Sequence, residues 1–302
     1  MDRNLIAEPT ANQEVHIVDK QVFENKLRKL YHEGQENLEI ITDFDWTFTK
    51  YKNNEARVCS TYQLLQNSVL TSEKSSYVHQ LYDFYHPIEI DQTISPEVKE
   101  KHMKDWWEKC NHALLEEGFN KSDLVHFVNN SSLYFRFGLP EFLSKCKNQN
   151  IPITILSGGI GNLVETSLKQ IQPENGMTIV SNFIDFDEAG RSKEFVMPEV
   201  RADKSKVLSG KRFRKNIILL GDLTSDVKMV QEVEYECCLK IGFLNNVEVY
   251  DINAFREVYD LLIVHDGDFT AVNSILNIVC KMEGVEVSEE LREAYNRISC
   301  LN

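Results

Sequence analysis

Long apolar runs are missing from this sequence. None approaches the ~18 residues that a helix needs to span a bilayer, so no transmembrane segment is expected. The N-terminal stretch MDRNLIAEPTANQEVH has no apolar h-region, and no secretory signal is expected. Proline and glycine are sparse, 7 and 13 in 302 residues, which excludes fibrous and low-complexity classes. Basic charge is also short: 33 Lys and Arg against 47 Asp and Glu leave a net −14. Such a surface repels polyanions, so neither nucleic acid nor an anionic membrane is an expected partner. No CxxC or HExxH motif occurs, which removes the common zinc signatures. The seven cysteines are odd in number and without framework spacing, and read as reduced thiols of a cytoplasmic protein.

What is present is globular material, 42% hydrophobic and 10% aromatic, ample for a core. A helical period runs over 18–33 and stops at Gly34. It is followed by NLEIITDFD, a short apolar strand that runs straight into acid. Compact apolar runs recur at 151–156, 177–180, 217–220, 237–241 and 261–264. Helical stretches near 139–148, 160–171, 224–231, 251–259 and 270–282 separate most of them. Nearly continuous apolar strands alternating with helices indicate an α/β fold, a doubly wound parallel sheet covered on both faces. Residues 56–130 break the pattern with amphipathic stretches near 72–85 and 96–117 and no apolar strand. The expected organisation is therefore a core built from 1–55 and 131–282, a helical cap at 56–130 inserted after the first strand, and an acidic tail, 283–302, with no readable role.

Ligands of open α/β sheets lie beyond the carboxyl ends of the strands. Those ends carry Asp43-Phe44-Asp45-Trp46-Thr47, then Ser157-Gly158-Gly159, then Gly221-Asp222-Leu223-Thr224-Ser225-Asp226. Four carboxylates and a hydroxyl thus converge on one edge. Packed carboxylates repel, and an oxygen-only donor set favours Mg²⁺ over zinc. Each signal alone is ordinary, since acidic pairs, Ser-Gly turns and helix caps are common. Their joint placement, each at the end of an apolar strand, is not.

The set DFDWT, ILSGG, a downstream lysine and GDxxxD resembles the haloacid dehalogenase superfamily of phosphohydrolases, with its Rossmann-like sheet. The segments IITDFDWTFT, YHPIEID, LSGGIG, VSNFIDFDEAG, IILLGD and KIGFLN narrow the resemblance to the cytosolic 5′-nucleotidase III family, over roughly 20–280. That resemblance implies a hydrolase of nucleoside 5′-monophosphates, acting on 7-methylguanosine monophosphate, on CMP and UMP, or on both groups; a monomer is the default expectation, which no motif decides. By the same resemblance Asp43 is the nucleophile and Asp45 the general acid and base. Asp43, Asp222 and the Asp45 carbonyl hold Mg²⁺, with Asp226 outside that first set. Ser157 and the Gly158 amide cradle phosphate at a helix N-terminus. The family's phosphate lysine falls on Lys204 or on Lys206, with Lys204 the better fit.

Several positions depart from the family pattern. Leu223 stands for Ser, Ser225 for Gly, Gly158 for Ala, and Cys110 for a smaller residue, while Asn111-His112 changes local spacing. None removes a catalytic group. Glu89 resembles the family glutamate that accepts hydrogen bonds from the base, and Trp107 the aromatic on which 7-methylguanosine stacks. Cys110 belongs to the same base-binding set. A cationic methylated base suits an indole face and a carboxylate. Two other readings remain at this point: a phosphatase of the superfamily for another small ester, and a nucleotide-binding protein without turnover.

Overall fold

The structure, a computed structural model, describes residues 5–10, 13–53, 56–91, 93–172, 176–196, 204–282, 291–293 and 296. Strand β2 (Leu38–Thr42) is buried along its whole length, Glu39 included, which suits its mostly apolar run. It pairs in parallel with β5 (Ile153–Ile160) on one side and with β8 (Asn216–Gly221) on the other. Ile41 stands opposite Thr154 in one neighbour and Leu219 in the other. Outward from β8 lie β9 (Cys237–Leu244) and β10 (Leu261–Val264), and outward from β5 lies β6 (Thr178–Phe186), all parallel.

Both edges run the other way. β1 (Glu14–Ile17) is antiparallel to β10, and β7 (Ser192–Val196) is antiparallel to β6. The eight-stranded order is β1-β10-β9-β8-β2-β5-β6-β7, a mostly parallel sheet in place of the wholly parallel one expected. β7 needs no crossover, because a tight turn at Asp187–Gly190, with φ +82° at Gly190, folds it back on β6.

Helices cover the faces. α1 (Lys20–Glu33) starts at Asp19, whose carboxylate accepts from the Val22 amide, and stops at Gly34 with φ +75°. α6 (Leu139–Asn148), α7 (Gly161–Ile171), α8 (Ile252–Val258) and α9 (Thr270–Val279) follow the expected helical stretches. The stretch near 224–231 is a 3₁₀ run, Thr224–Val230, in which Asp226 turns back to accept from the Asp222 amide.

Between β2 and β5 the chain forms a two-stranded ribbon of β3 (Lys52–Asn53) and β4 (Ala56–Arg57). It then forms α2 (Thr61–Val69), α3 (Ser72–Ile90), α4 (Pro96–Glu117) and α5 (Leu124–Asn129). α3 and α4 are antiparallel. Thr71 at the start of one reaches Glu117 at the end of the other at 2.6 Å, and Tyr85 stacks on Trp106 at 5.8 Å. No helix among the described residues is long and apolar enough to cross a membrane. The six described cysteines are free thiols.

Candidate active site

Asp43 directly follows β2 and Asp222 directly follows β8, and the sheet register sets them side by side. The Asp43 amide donates to the Leu220 carbonyl at 3.0 Å, continuing the β2–β8 pairing by one step. Carboxylate oxygens of Asp43, Asp222 and Asp226 lie within 4.8 Å of one another, and all three residues are buried. Burial raises the Asp43 carboxyl, an effect that the Lys204 ammonium only partly offsets. Burial also pushes Asp222 well up, reinforced by the charges of Asp226 and Asp43. Four buried carboxylates, counting Asp45, face one buried ammonium, so the cluster is short of positive charge.

Lys204 and Lys206 have different fates. Lys204 is buried, and its ammonium donates to Asp43 Oδ1 at 2.6 Å and to Asp226 Oδ1 at 3.0 Å. Burial pulls its pKa down, but the charges of Asp226 and Asp43 outweigh that and raise it. Lys206 is exposed. The preceding residues, 201–203, lie outside the described residues.

Both Asp226 oxygens are committed. Oδ1 accepts from Lys204, and Oδ2 accepts from the amides of Asp222 (3.0 Å) and Leu223 (2.9 Å). Asp226 thus ties the lysine to the loop, and Asp43 and Asp222 are the better direct donors for a cation. Gly221 makes this approach possible, since a Cβ there would sit 2.5 Å from the Asp226 Cβ.

The loop after β2 doubles back sharply. Trp46 is left-handed, with φ +61°, a strained conformation for a bulky residue. Its amide donates to Thr49 Oγ1 at 2.7 Å and its indole to the Val58 carbonyl at 2.9 Å. Its carbonyl accepts from Arg136 Nη2 and from Asn245 Nδ2. Arg136 is wholly buried and also donates to the Thr47 carbonyl at 2.9 Å and to Asp266 Oδ1 at 2.9 Å.

Asp45 is held from the helical segment. The Thr61 amide donates to its Oδ1 at 2.8 Å and the Thr61 hydroxyl to its Oδ2 at 2.9 Å. Burial, and next the charge of Asp43, push the Asp45 carboxyl up to about 7, against the pull of the Thr61 hydrogen bonds. Ser157 is buried, with its hydroxyl oxygen accepting from the Gly159 amide at 3.1 Å. The Gly158 carbonyl accepts from Asn182 Nδ2 at 2.8 Å. Thr61 and Arg136 carry no motif, and sequence reasoning missed both.

Trp107 lies on α4, with its ring 4.9 Å from that of Tyr62, edge to face. Tyr62 directly follows Thr61, the residue that holds Asp45, while Trp106 stacks on Tyr85. Cys110, one turn beyond Trp107, is buried, and burial pushes its thiol up to about 11. The side chain of Glu89 lies outside the described residues.

The profile of the pyrimidine 5′-nucleotidase (UMPH-1) family matches residues 46–280. The chain belongs to that family. The 7-methylguanosine phosphate-specific 5′-nucleotidase A of Xenopus laevis is 32% identical over 276 residues, covering 88% of this chain and 95% of that protein. The Homo sapiens 7-methylguanosine phosphate-specific 5′-nucleotidase is 31% identical over 266 residues, covering 84% of this chain and 88% of its own. The crystal structure of cytosolic 5′-nucleotidase IIIB bound to cytidine superposes with a TM-score of 0.76 at 26% identity, covering 88% of this chain and 93% of that one. This member of the family, of the haloacid dehalogenase type, is a phosphoric monoester hydrolase.

Proposed function

We propose that the protein is a Mg²⁺-dependent 5′-nucleotidase that hydrolyses nucleoside 5′-monophosphates through an aspartyl-phosphate on Asp43. The observation that carries this reading is the placement of Asp43. It ends the central strand, holds Lys204 at 2.6 Å, and shares a buried cluster with Asp222. Asp43 attacks phosphorus in line, and the bond from phosphorus to the ribose 5′-oxygen breaks. Asp45 gives its proton to that leaving oxygen. Asp45 then takes a proton from water as the water attacks the phosphoryl group, releasing phosphate and restoring Asp43. Asp45, pushed to about 7, can serve in both forms near neutral pH. Lys204 balances charge that builds on the phosphoryl oxygens, and Ser157 with the Gly158 amide orients them at the N-terminus of α7.

The oxygen-only, charge-deficient cluster fits Mg²⁺, which Asp43, Asp222 and the Asp45 carbonyl would hold. When bound, Mg²⁺ supplies positive charge that draws the phosphoryl group toward Asp43. Asp226 fixes Lys204 and the loop that carries Asp222.

Residues 56–130 act as a cap that recognises the base, with Trp107, Cys110 and Glu89 its contacts. The relatives' substrate names, 7-methylguanosine phosphate and pyrimidine, and the bound cytidine support these bases for this chain as well. We further read the enzyme as a cytoplasmic monomer.

The test is phosphate release from 7-methylguanosine monophosphate, CMP, UMP and a sugar phosphate, with Mg²⁺ and with chelator, for wild type and Asp43→Asn. Nucleotide turnover that needs the metal and falls at least about 10³-fold in Asp43→Asn is expected. Near-normal release by a folded Asp43→Asn protein sinks the covalent route. Preference for the sugar phosphate sinks the nucleotide assignment.

A further inference from the structure

We infer that Thr61 is a positioning residue that fixes the orientation of the Asp45 carboxylate, making the first turn of α2 part of the proton-transfer machinery. The inference rests on the acid–base reading of Asp45 given above.

A carboxylate held at one oxygen can still swing about its Cβ–Cγ bond. Asp45 is held at both, by the two donors of one residue, at 2.8 and 2.9 Å. The pair acts as a two-point clamp and leaves each oxygen a further lone pair for substrate or water. The hydroxyl of Thr61 is itself oriented. Its oxygen accepts from the Ile160 amide at 3.1 Å, so its hydrogen is turned toward Asp45. Thr61 is fully buried, which shields these contacts from bulk solvent. One side chain thereby joins three segments: the acid–base loop, the phosphate loop that leads into α7, and the start of α2.

Two further observations separate this role from ordinary helix capping. α2 is already capped by the residue before. Ser60 Oγ accepts from the Gln63 amide at 3.3 Å, and Gln63 Oε1 accepts from the Ser60 amide at 3.1 Å. The Thr61 hydroxyl is surplus to that box. The phosphate loop is also shaped to admit the threonine. A Cβ on Gly159 would sit 1.9 Å from Thr61 Oγ1 and 2.6 Å from Asp45 Oδ2, so glycine is required where the clamp closes. Gly159 has an ordinary backbone angle, and space is the reason for its lack of a side chain.

A proton donor must lie within hydrogen-bond reach of the leaving oxygen, and a swinging carboxylate spends much of its time elsewhere. Loss of the clamp therefore slows steps that need Asp45 and spares a step that does not. Thr61→Val removes the hydroxyl at constant volume, and Thr61→Ser keeps it. Both are compared with Asp45→Asn and with the double variant Thr61→Val/Asp45→Asn, after equal melting temperatures confirm the fold.

In Thr61→Val, kcat on CMP or 7-methylguanosine monophosphate is expected to fall about 10- to 100-fold, a part of the 10²–10⁴ that an acid–base group supplies. The p-nitrophenol burst from p-nitrophenyl phosphate, whose leaving group needs no protonation, stays within about threefold. Thr61→Ser stays within about threefold on both substrates, and the double variant is no slower than Asp45→Asn alone. If Thr61→Val works at the wild-type rate while Asp45→Asn is dead, the clamp is wrong and the acid–base assignment stands. Equal losses on both substrates, or a serine variant as poor as the valine one, reduce Thr61 to packing and overturn the inference. A fully active Asp45→Asn overturns the acid–base assignment and the inference together.

Discussion

Arg136 and Asp266 form a buried ion pair, Nη1 to Oδ1 at 2.9 Å, directly behind the loop that carries Asp45 and Trp46. Asp266 also accepts from the amides of Tyr51 and Lys52, at 2.8 and 3.1 Å, and pairs with Lys50 at 3.0 Å. Asn245 from the end of β9 joins at 2.6 Å from Arg136 Nη2. The strained Trp46 backbone is held by this network. Arg136→Met leaves Asp266 buried with its main charge partner gone and the Thr47 carbonyl without its side-chain donor, while the Trp46 carbonyl keeps only Asn245. The expected cost is about 3–5 kcal/mol of stability, read from urea unfolding. A loss below about 1 kcal/mol would show that the loop holds its shape without the pair.

The two lysines give a clean contrast. Lys204→Ala removes the buried ammonium from Asp43 and Asp226 and is expected to lower kcat by about 10²–10³-fold, the scale of one preorganised donor. Lys206→Ala changes an exposed residue and is expected to stay within about ±0.5 kcal/mol of wild-type stability, at unchanged kcat. If the Lys206 variant is the damaged one, the phosphate lysine has been misassigned.

Base recognition is tested at Trp107. Trp107→Ala is expected to raise KM for nucleotides about five- to 150-fold while sparing p-nitrophenyl phosphate, since base–aromatic stacking is worth roughly 1–3 kcal/mol. The rise is larger for 7-methylguanosine monophosphate than for CMP, because only the methylated base carries positive charge. An equal loss on p-nitrophenyl phosphate would make Trp107 a packing residue for Tyr62.

A pH prediction comes from the opposite end of β2. Glu39 is buried, and its carboxylate accepts from the Arg214 amide at 3.0 Å and the Thr154 hydroxyl at 3.4 Å. Burial pushes its pKa up, beyond what those bonds recover. A carboxyl whose folded pKa is raised stabilises the fold most when protonated, and loses that contribution as pH rises through the folded value. Glu39→Gln keeps an acceptor for the Arg214 amide and can donate to the Thr154 oxygen, without the charge. Its stability is expected to exceed wild type at pH 8, and the gap should shrink by pH 4. Unfolding curves at the two pH values decide it. A gap that widens on acidification reverses the sign.

The parts of this molecule that were legible in its sequence are those where one strand end supplies both an apolar run and its own chemistry. β2, β5 and β8 are almost wholly buried, so their runs are nearly continuous; Asp43 and Asp222 directly follow β2 and β8, and Ser157 lies within β5 just past its apolar run. The edge strands β1 and β7 were not legible. Each is short, polar and half exposed, and becomes a strand only through its neighbour. Thr61 was hidden because sixteen residues and a ribbon separate it from Asp45, and a threonine at a helix start looks like any cap. Arg136 was hidden likewise, since nothing local marks a guanidinium whose partners lie 89 to 131 residues away. Lys204 came into view through the family pattern alone.

β1 pairs with β10, so residues 14–17 find their partners only once 261–264 exist. At about 5–20 residues per second, a ribosome takes roughly ten seconds to a minute to make the intervening chain. During that time β1 has no β10 to join, and β9, once made, is a bare edge until β10 follows. The β1–β10 pairing therefore covers that edge of the sheet only late in synthesis. A chain cut short before β10 keeps an open, apolar strand edge and becomes a substrate for aggregation and proteolysis.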